Sequence, residues 1–397
     1  MKSLPSNQLT TNTDMKKLKS LTSLLVASSL IFFSIANSMA CTALMVSDKN
    51  GNYYQGRTME FSSKIPTSLT YLPAGSQIIS ATPDNKQAMT FDTKYPVLGM
   101  TLDVLPNAKQ STLVEGANDQ GLTFSLNAFY DFTSVPWTAM PTTTDASKIL
   151  SATDLGNWIV GNFKSVAEVK AALAGMDGHI WLPTIAMMGN VPVPGHYAIF
   201  DKTGEALVVE FDNNKMRVYD NPVGVLTNGP AFPWHLANLS NYTQDNIDRN
   251  TSQLGKFKIH STDSGNALQS LPSAQTSPGR FVKAAFYANY VAKGSTPDQA
   301  ILQLGHIMNN FDRPTGLTMD PPGAFGDGPP GTTASSEVTW WTVMNDTSRH
   351  LYYVRSKNSL NWTVFDFAKL KGVTQKKTIS TYDVDKSGAD ASNLFLN

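Results

Sequence analysis

Cys41 is the only cysteine among 397 residues, and it directly follows Ser38-Met39-Ala40. A thiolate is a strong nucleophile, but something must first take its proton. Six histidines could serve, namely His179, His196, His235, His260, His306 and His350, yet none stands in a sequence context that marks it as a partner. Cleavage after Ala40 would supply another base. The α-amine of a terminal cysteine has an unperturbed pKa of roughly 7.7–8, close to what a general base needs at neutral pH. Nucleophile and base then belong to one residue. Such a site also calls for a cation that favours the thiolate, a carboxylate that holds amine and cation, and donors for an oxyanion. Arg57 and Glu60 are candidates for the first two roles, although a surface ion pair is the commoner use of such residues.

A hairpin must position them. Thr42–Ser47 is rich in strand formers, Asp48-Lys49-Asn50-Gly51-Asn52 reads as a turn, and Tyr53–Thr58 is the returning strand that carries Arg57 back. Further strands are predicted over Gln87–Phe91, Ser111–Glu115 and Leu122–Ala128. Helices follow over Ala152–Phe163 and over Ser165–Ala174, the second capped by Ser165. A β-rich block spans Trp181–Met187, His196–Asp201, Ala206–Phe211 and Lys215–Tyr219. Helices return at Trp234–Asn241, Pro278–Val291 and Pro297–Asn309, and strands close the chain near Val338–Met344, His350–Arg355 and Trp362–Asp366. This order describes mixed sheets covered by helices, an α+β arrangement.

The segment before Cys41 reads as a removable leader. Met15-Lys16-Lys17-Leu18-Lys19 is a basic start, Leu21–Ala36 is apolar but short for a membrane span, and Ser38 and Ala40 are the small residues a signal peptidase requires. Residues 1–40 are therefore expected to be removed and 41–397 to form one domain, exported to the periplasm or secreted, with no stable membrane anchor. The alternative is a non-catalytic periplasmic lipoprotein or binding module with Cys41 lipidated. Lipoprotein signals place an aliphatic residue three positions before the cysteine, where this chain has Ser38.

A hydrophobic fraction of 41% against 16% charged residues is enough for a globular core. Lys plus Arg and Asp plus Glu are equal at 31 each. Loss of the leader's four lysines and one aspartate leaves a slightly acidic chain with no electrostatic reason to bind nucleic acid. Asp320–Thr333 lacks the ligand spacing of a calcium loop, no Cys/His cluster suggests zinc, and no metal or cofactor is expected.

"CTALMVSDKNGNYYQGRTMEF" (41–61) resembles the opening of the choloylglycine hydrolase and penicillin V acylase family of N-terminal nucleophile hydrolases. The resemblance recurs in order at Glu115–Leu122 with Leu126-Asn127, at "NPVGVLTNGPAFPWHLANLSNY" (221–242) and at "SPGRFVKAAF" (277–286). It implies a four-layer αββα fold, a homo-oligomer, and hydrolysis of a carbon–nitrogen bond in a linear amide. It also implies Cys41 as nucleophile with Arg57 beside its thiolate, and Glu60 where many members place a shorter acid. Asn228 would meet the scissile amide and its oxyanion, Arg280 would complete the charged cluster, and Asn127 falls where the family carries an oxyanion-hole side chain. Phe61, Phe129, Tyr130 and Trp137 follow these motifs closely enough to line an apolar pocket for an apolar or aromatic acyl group, or they could be core. The family's substrates are conjugated bile salts, penicillin V and acyl-homoserine lactones. A cysteine peptidase using one of the six histidines is the rival enzyme. The leader and lipoprotein readings separate by intact mass. The exported protein should weigh as the chain from Cys41 to Asn397, and a diacylglyceryl increment would establish the lipoprotein.

Overall fold

The computed structural model describes residues 40–62, 65–103, 109–129, 138–185, 191–193, 195–242, 251–265, 268–320, 335–385, 390 and 392–396. The leader lies outside this set, as do Tyr130 and Trp137. Strands β1 (Ala40–Ser47) and β2 (Tyr53–Phe61) form the expected hairpin, pairing Cys41 with Met59 and Ala43 with Arg57. Its turn is tied by Asp48, whose Oδ1 accepts from the Asn50 and Asn52 amides, while Gly51 takes a left-handed φ of 82°.

The hairpin lies inside a seven-stranded sheet, in the order Val225–Leu226, β1, β2, Ser335–Asp346, Leu351–Ser356 and Thr363–Asp366, with Thr318–Asp320 added beside Ser335–Asp346. A second sheet has eight antiparallel strands. They run Lys215–Asp220, Ala206–Asp212, Gly195–Phe200, Thr123–Ala128, Thr112–Asn118, Val97–Leu102, Ser68–Leu72 and Lys377–Ser380. Alternation of side chains along a strand gives each sheet two faces to cover. In the second sheet Leu98, Met100 and Val114 pack toward Cys41, Met59 and Trp341 of the first. Val97, Leu113, Phe124 and Tyr197 pack instead on Leu155, Ile159, Val166 and Val169 from the helices Leu155–Asn162 and Val166–Leu173. The first sheet's other face lies under the helices Ser277–Tyr290 and Pro297–Asn309 through Phe281, Ala284, Leu304 and Met308. The layers are helices, sheet, sheet, helices.

The Ser165 cap forms as predicted, accepting from the Glu168 amide. Trp181–Met187 is not one strand. Ile180–Trp181 and Thr184–Ile185 pair separately in small two-stranded units, and residues 186 and 187 lie outside the described set. Two strands of the second sheet, Ser68–Leu72 and Val97–Leu102, carry no expectation from sequence. Both are almost wholly buried, so the alternating signal of a half-buried strand is missing.

Two β-bulges matter to the site. One lies where Met59 pairs with Trp341 but Glu60 pairs with Thr339, leaving Trp340 as the extra residue. The other leaves Val114 extra, because Met100 pairs with Glu115 and Thr101 with Leu113. A bulge re-aims the side chains around it, and here each sits beside a buried carboxylate. Beside the second, Gly99 pairs with Gly116, and a Cβ on Gly99 would lie 2.2 Å from the Glu115 carbonyl oxygen and 2.7 Å from Gly116 Cα. Backbone cannot yield as a side chain does. Gly99→Ala should therefore lower stability by roughly 1–3 kcal/mol, read from the urea midpoint. An unchanged midpoint would mean that the two strands separate freely.

Candidate active site

Alternation along β2 sends Gln55, Arg57 and Met59 toward the second sheet and Gly56, Thr58 and Glu60 toward the helices. Arg57 has no exposed surface. Its Nη2 donates to Cys41 Sγ at 3.3 Å and to the Leu126 carbonyl, Nη1 donates to the Val114 carbonyl at 2.9 Å, and Nε donates to Asn127 Oδ1 at 3.3 Å. The guanidinium carbon also lies 4.9 Å from the centre of the Trp341 ring, and Met59 Sδ sits 3.6 Å from Cys41 Sγ. The cation is thus fixed by buried and part-buried partners with one edge aimed at sulfur.

The main chain of Cys41 meets different groups. Its nitrogen, a peptide N–H in a chain that still carries Ala40, donates to Asn228 Oδ1 at 2.9 Å. Arg280 enters from the first turn of the Ser277–Tyr290 helix. Its Nη1 donates to the Cys41 carbonyl and to Thr42 Oγ1, and its Nη2 donates to Asn228 Oδ1 at 2.6 Å. Asn228 Nδ2 gives one hydrogen to the Ala128 carbonyl at 2.7 Å, and an amide of this kind has a second to give.

Glu60 departs from the sequence expectation. It was expected to hold both the Cys41 nitrogen and Arg57, but three residues along a strand is an odd step, so Arg57 and Glu60 occupy opposite faces. Glu60 pairs in register with Ala40 and accepts from Thr339 Oγ1 at 3.1 Å. Burial pushes its carboxyl above the usual range, opposed by the charges of Arg313 and Arg280. Arg313 is itself paired with Glu337, and its guanidinium shares the Gln275 carbonyl with Arg280. Sequence reasoning missed Arg313 and Glu337 because they lie far along the chain and outside any recognised motif.

Glu115 lies inside the site without having been assigned to it. Fully buried, its Oε2 is 3.9 Å from Arg57 Nε and accepts from Ser125 Oγ, while Asn345 Nδ2 lies 3.5 Å from Oε1. Burial pushes its pKa up to about 8, against the pull of Arg57 and of these hydrogen bonds. A signal existed in the sequence, since an acid inside a predicted buried strand needs a partner across the sheets.

Asn127 points inward rather than toward a ligand. Its Oδ1 takes Arg57 Nε, and Nδ2 donates to the carbonyls of Leu226 and Thr227 at 3.1 and 2.8 Å. In this arrangement the carboxamide holds Arg57 and the segment leading to Asn228. Phe61 shares the buried cluster around Cys41 and Met59. Phe129 follows Ala128, with its ring 4.9 Å from that of His196.

The family model of linear amide C–N hydrolases, choloylglycine hydrolase family, matches residues 41–377. A bile salt hydrolase/transferase of Clostridium perfringens is 28% identical over 87% of this chain and 98% of its own. A conjugated bile acid hydrolase of Lactobacillus acidophilus is 32% identical over 66% of this chain and 78% of its own. The crystal structure of the R18L variant of the Clostridium perfringens conjugated bile acid hydrolase superposes with a TM-score of 0.68 at 26% identity, covering 86% of this chain and 97% of that one. Penicillin V acylase from Agrobacterium tumefaciens superposes with a TM-score of 0.65 at 22% identity, covering 86% and 91%, and shares the fold. With the match running from Cys41 through nearly all of the described fold, this chain belongs to the choloylglycine hydrolase family of linear amide C–N hydrolases.

Proposed function

We propose that cleavage after Ala40 makes Cys41 the N-terminal residue, and that its thiolate attacks the carbonyl carbon of a linear amide bearing an apolar or aromatic acyl group. The observation that carries this reading is the convergence on one residue of Arg57 at 3.3 Å from sulfur and Asn228 at 2.9 Å from nitrogen. The Cys41 nitrogen stands where the free α-amine would stand. That amine takes the thiol proton and passes it to the leaving nitrogen as the carbon–nitrogen bond breaks. The second Nδ2 hydrogen of Asn228 meets the oxyanion, and water then releases the acid from the thioester. Names of relatives point to conjugated bile salts and penicillin V as substrate classes. Acyl-homoserine lactones carry the same linear amide and are a third class. From the leader sequence we further propose a periplasmic or secreted mature enzyme without a stable membrane anchor, and from the family resemblance a homo-oligomer.

The lipoprotein reading fares worse on the geometry. A lipidated Cys41 would need its sulfur to leave a fully buried position against Arg57 and Met59. Cys41→Ser should fold and lose nearly all turnover of penicillin V and of a glycine-conjugated bile salt, because a hydroxyl is a much poorer nucleophile at equal base strength. A chain with an unremovable residue before Cys41 should be equally silent. Turnover by that extended chain would exclude the α-amine as base.

Glu115 lies behind Arg57, 3.9 Å from its Nε, and burial pushes its pKa up to about 8 against the pull of that cation. Raised from 4.5 on folding, this group supports the fold fully below about pH 4.5, and that support falls away as pH rises toward about 8. Glu115→Gln removes the titration. Its stability relative to wild type should therefore grow between those pH values, by at most about 1.4 kcal/mol per pH unit. Urea unfolding of both proteins across that interval measures it. A constant difference would mean that Glu115 is ionised in the folded protein.

A further inference from the structure

We infer that His196 and His235 are positioning residues for Asn228, each donating an Nε2 hydrogen to one of two consecutive backbone carbonyls and so fixing the carboxamide that meets the Cys41 nitrogen. The inference rests on the proposed role of Asn228 at the scissile amide. His196 Nε2 lies 3.1 Å from the Thr227 carbonyl oxygen, and His235 Nε2 lies 2.8 Å from that of Asn228. A carbonyl only accepts, so each Nε2 must carry the hydrogen.

The need for such a brace follows from where the sheet ends. The short strand Val225–Leu226 pairs with β1 only at those two residues. Beyond Leu226 the backbone that carries Asn228 loses its ladder, and side chains take over its polar groups. The Thr227 carbonyl receives His196 and Asn127, the Asn228 carbonyl receives His235, and the Asn228 amide donates to Ser277 Oγ at 3.0 Å.

Each ring is held in turn. His196 is fully buried on the strand Gly195–Phe200, in register with Asn127, and its Nδ1 lies 3.0 Å from Glu210 Oε1. The same oxygen accepts from the Phe232 amide at 2.8 Å, which fixes the carboxylate and through it the ring. His235 is fully buried in the helix Phe232–Asn238, and its ring stacks on Phe281 with centres 4.5 Å apart. Burial lowers its pKa to about 4, so the ring is a neutral donor at pH 7. An Nε2 that already holds a hydrogen against a carbonyl cannot take one from a thiol.

Full-length processed protein carrying His235→Leu, His235→Gln, His196→Leu or His196→Gln tests this on penicillin V and a glycine-conjugated bile salt. Glutamine can place an amide N–H near the position of Nε2, and leucine cannot. Each leucine variant should lose about 10- to 100-fold in kcat with KM within about threefold, the scale expected when an oxyanion donor is displaced. Glutamine should restore most of that loss. Alkylation of Cys41 by iodoacetamide, which forms no oxyanion, should keep nearly its wild-type rate in all four. Wild-type kcat in the leucine variants, equal losses with leucine and glutamine, or a matching fall in alkylation would each overturn the brace. Nitrogen NMR of the wild-type imidazoles near pH 7 reads it without turnover or mutation, and a hydrogen on Nδ1 with bare Nε2 in either ring would also overturn it. Full turnover by Cys41→Ser would instead sink the proposed reaction while leaving the NMR result standing.

Discussion

A guanidinium with no exposed surface is tolerable only when its hydrogens are matched, because an uncompensated buried charge costs several kcal/mol. Arg57 imposes that condition on the space between the two sheets. Its partners are the carbonyls of Val114 and Leu126, the oxygen of Asn127, the face of Trp341 and the sulfur of Cys41. The other partners hold the cation at one position with an edge against the Cys41 sulfur, and a fixed charge of this kind acts on its neighbours without reorganising.

Around this cation the polar groups form a layer inside an apolar sandwich. Gln55 and Asn345 bond to each other within the first sheet, Gln55 reaches Ser125 in the second, and Ser125 holds Glu115. Such a layer fixes the register between the sheets, since a slip of one residue would strand every member. The cost falls on the carboxyl of Glu115, whose pKa burial raises against the pull of Arg57. Two adjacent glycines and a bulge allow its strand to approach closely enough for the contact.

The sequence made the hairpin that carries Cys41 and Arg57 legible, because turn chemistry is a local signal. The helices Ser277–Tyr290 and Pro297–Asn309 were legible from their periodicity and starting prolines, the second to the residue. Ser68–Leu72, Val97–Leu102 and Lys377–Ser380 were not. Gly195–Phe200 and Ala206–Asp212, as buried as the first two, were, because their β-branched and aromatic runs still mark a strand where alternation is absent. Resemblance supplied Asn228 and Arg280, which no local rule would have joined to residues nearly 190 or 240 positions away. The reading from residue types had Glu60 hold Arg57 as well as the amine, where strand alternation alone separates the two side chains. His196 and Glu210 bore no motif, and His235 lay within the 221–242 block without a role of its own; the end of pairing at Leu226 is what gives them one.

That separation of faces gives Cys41 its particular use. A residue at the start of an inner strand offers its side chain to the space between the sheets, and its nitrogen and carbonyl to the strand's edge and to the helix behind. Sulfur meets Arg57, nitrogen meets Asn228, and the carbonyl meets Arg280, so one residue is held from three directions. With Ala40 in place its nitrogen has a single hydrogen, already given to Asn228. The proposed cleavage adds hydrogens at that nitrogen and removes the residue that pairs with Glu60. Among the described residues Glu60 Oε2 is buried without a well-formed hydrogen bond. An amine beside that oxygen would give it a donor. Glu60 would then act on the amine from the helix side while Arg57 acts on the sulfur from the sheet side, and the base and the nucleophile of one residue would be tuned by separate charges on opposite faces of the same strand.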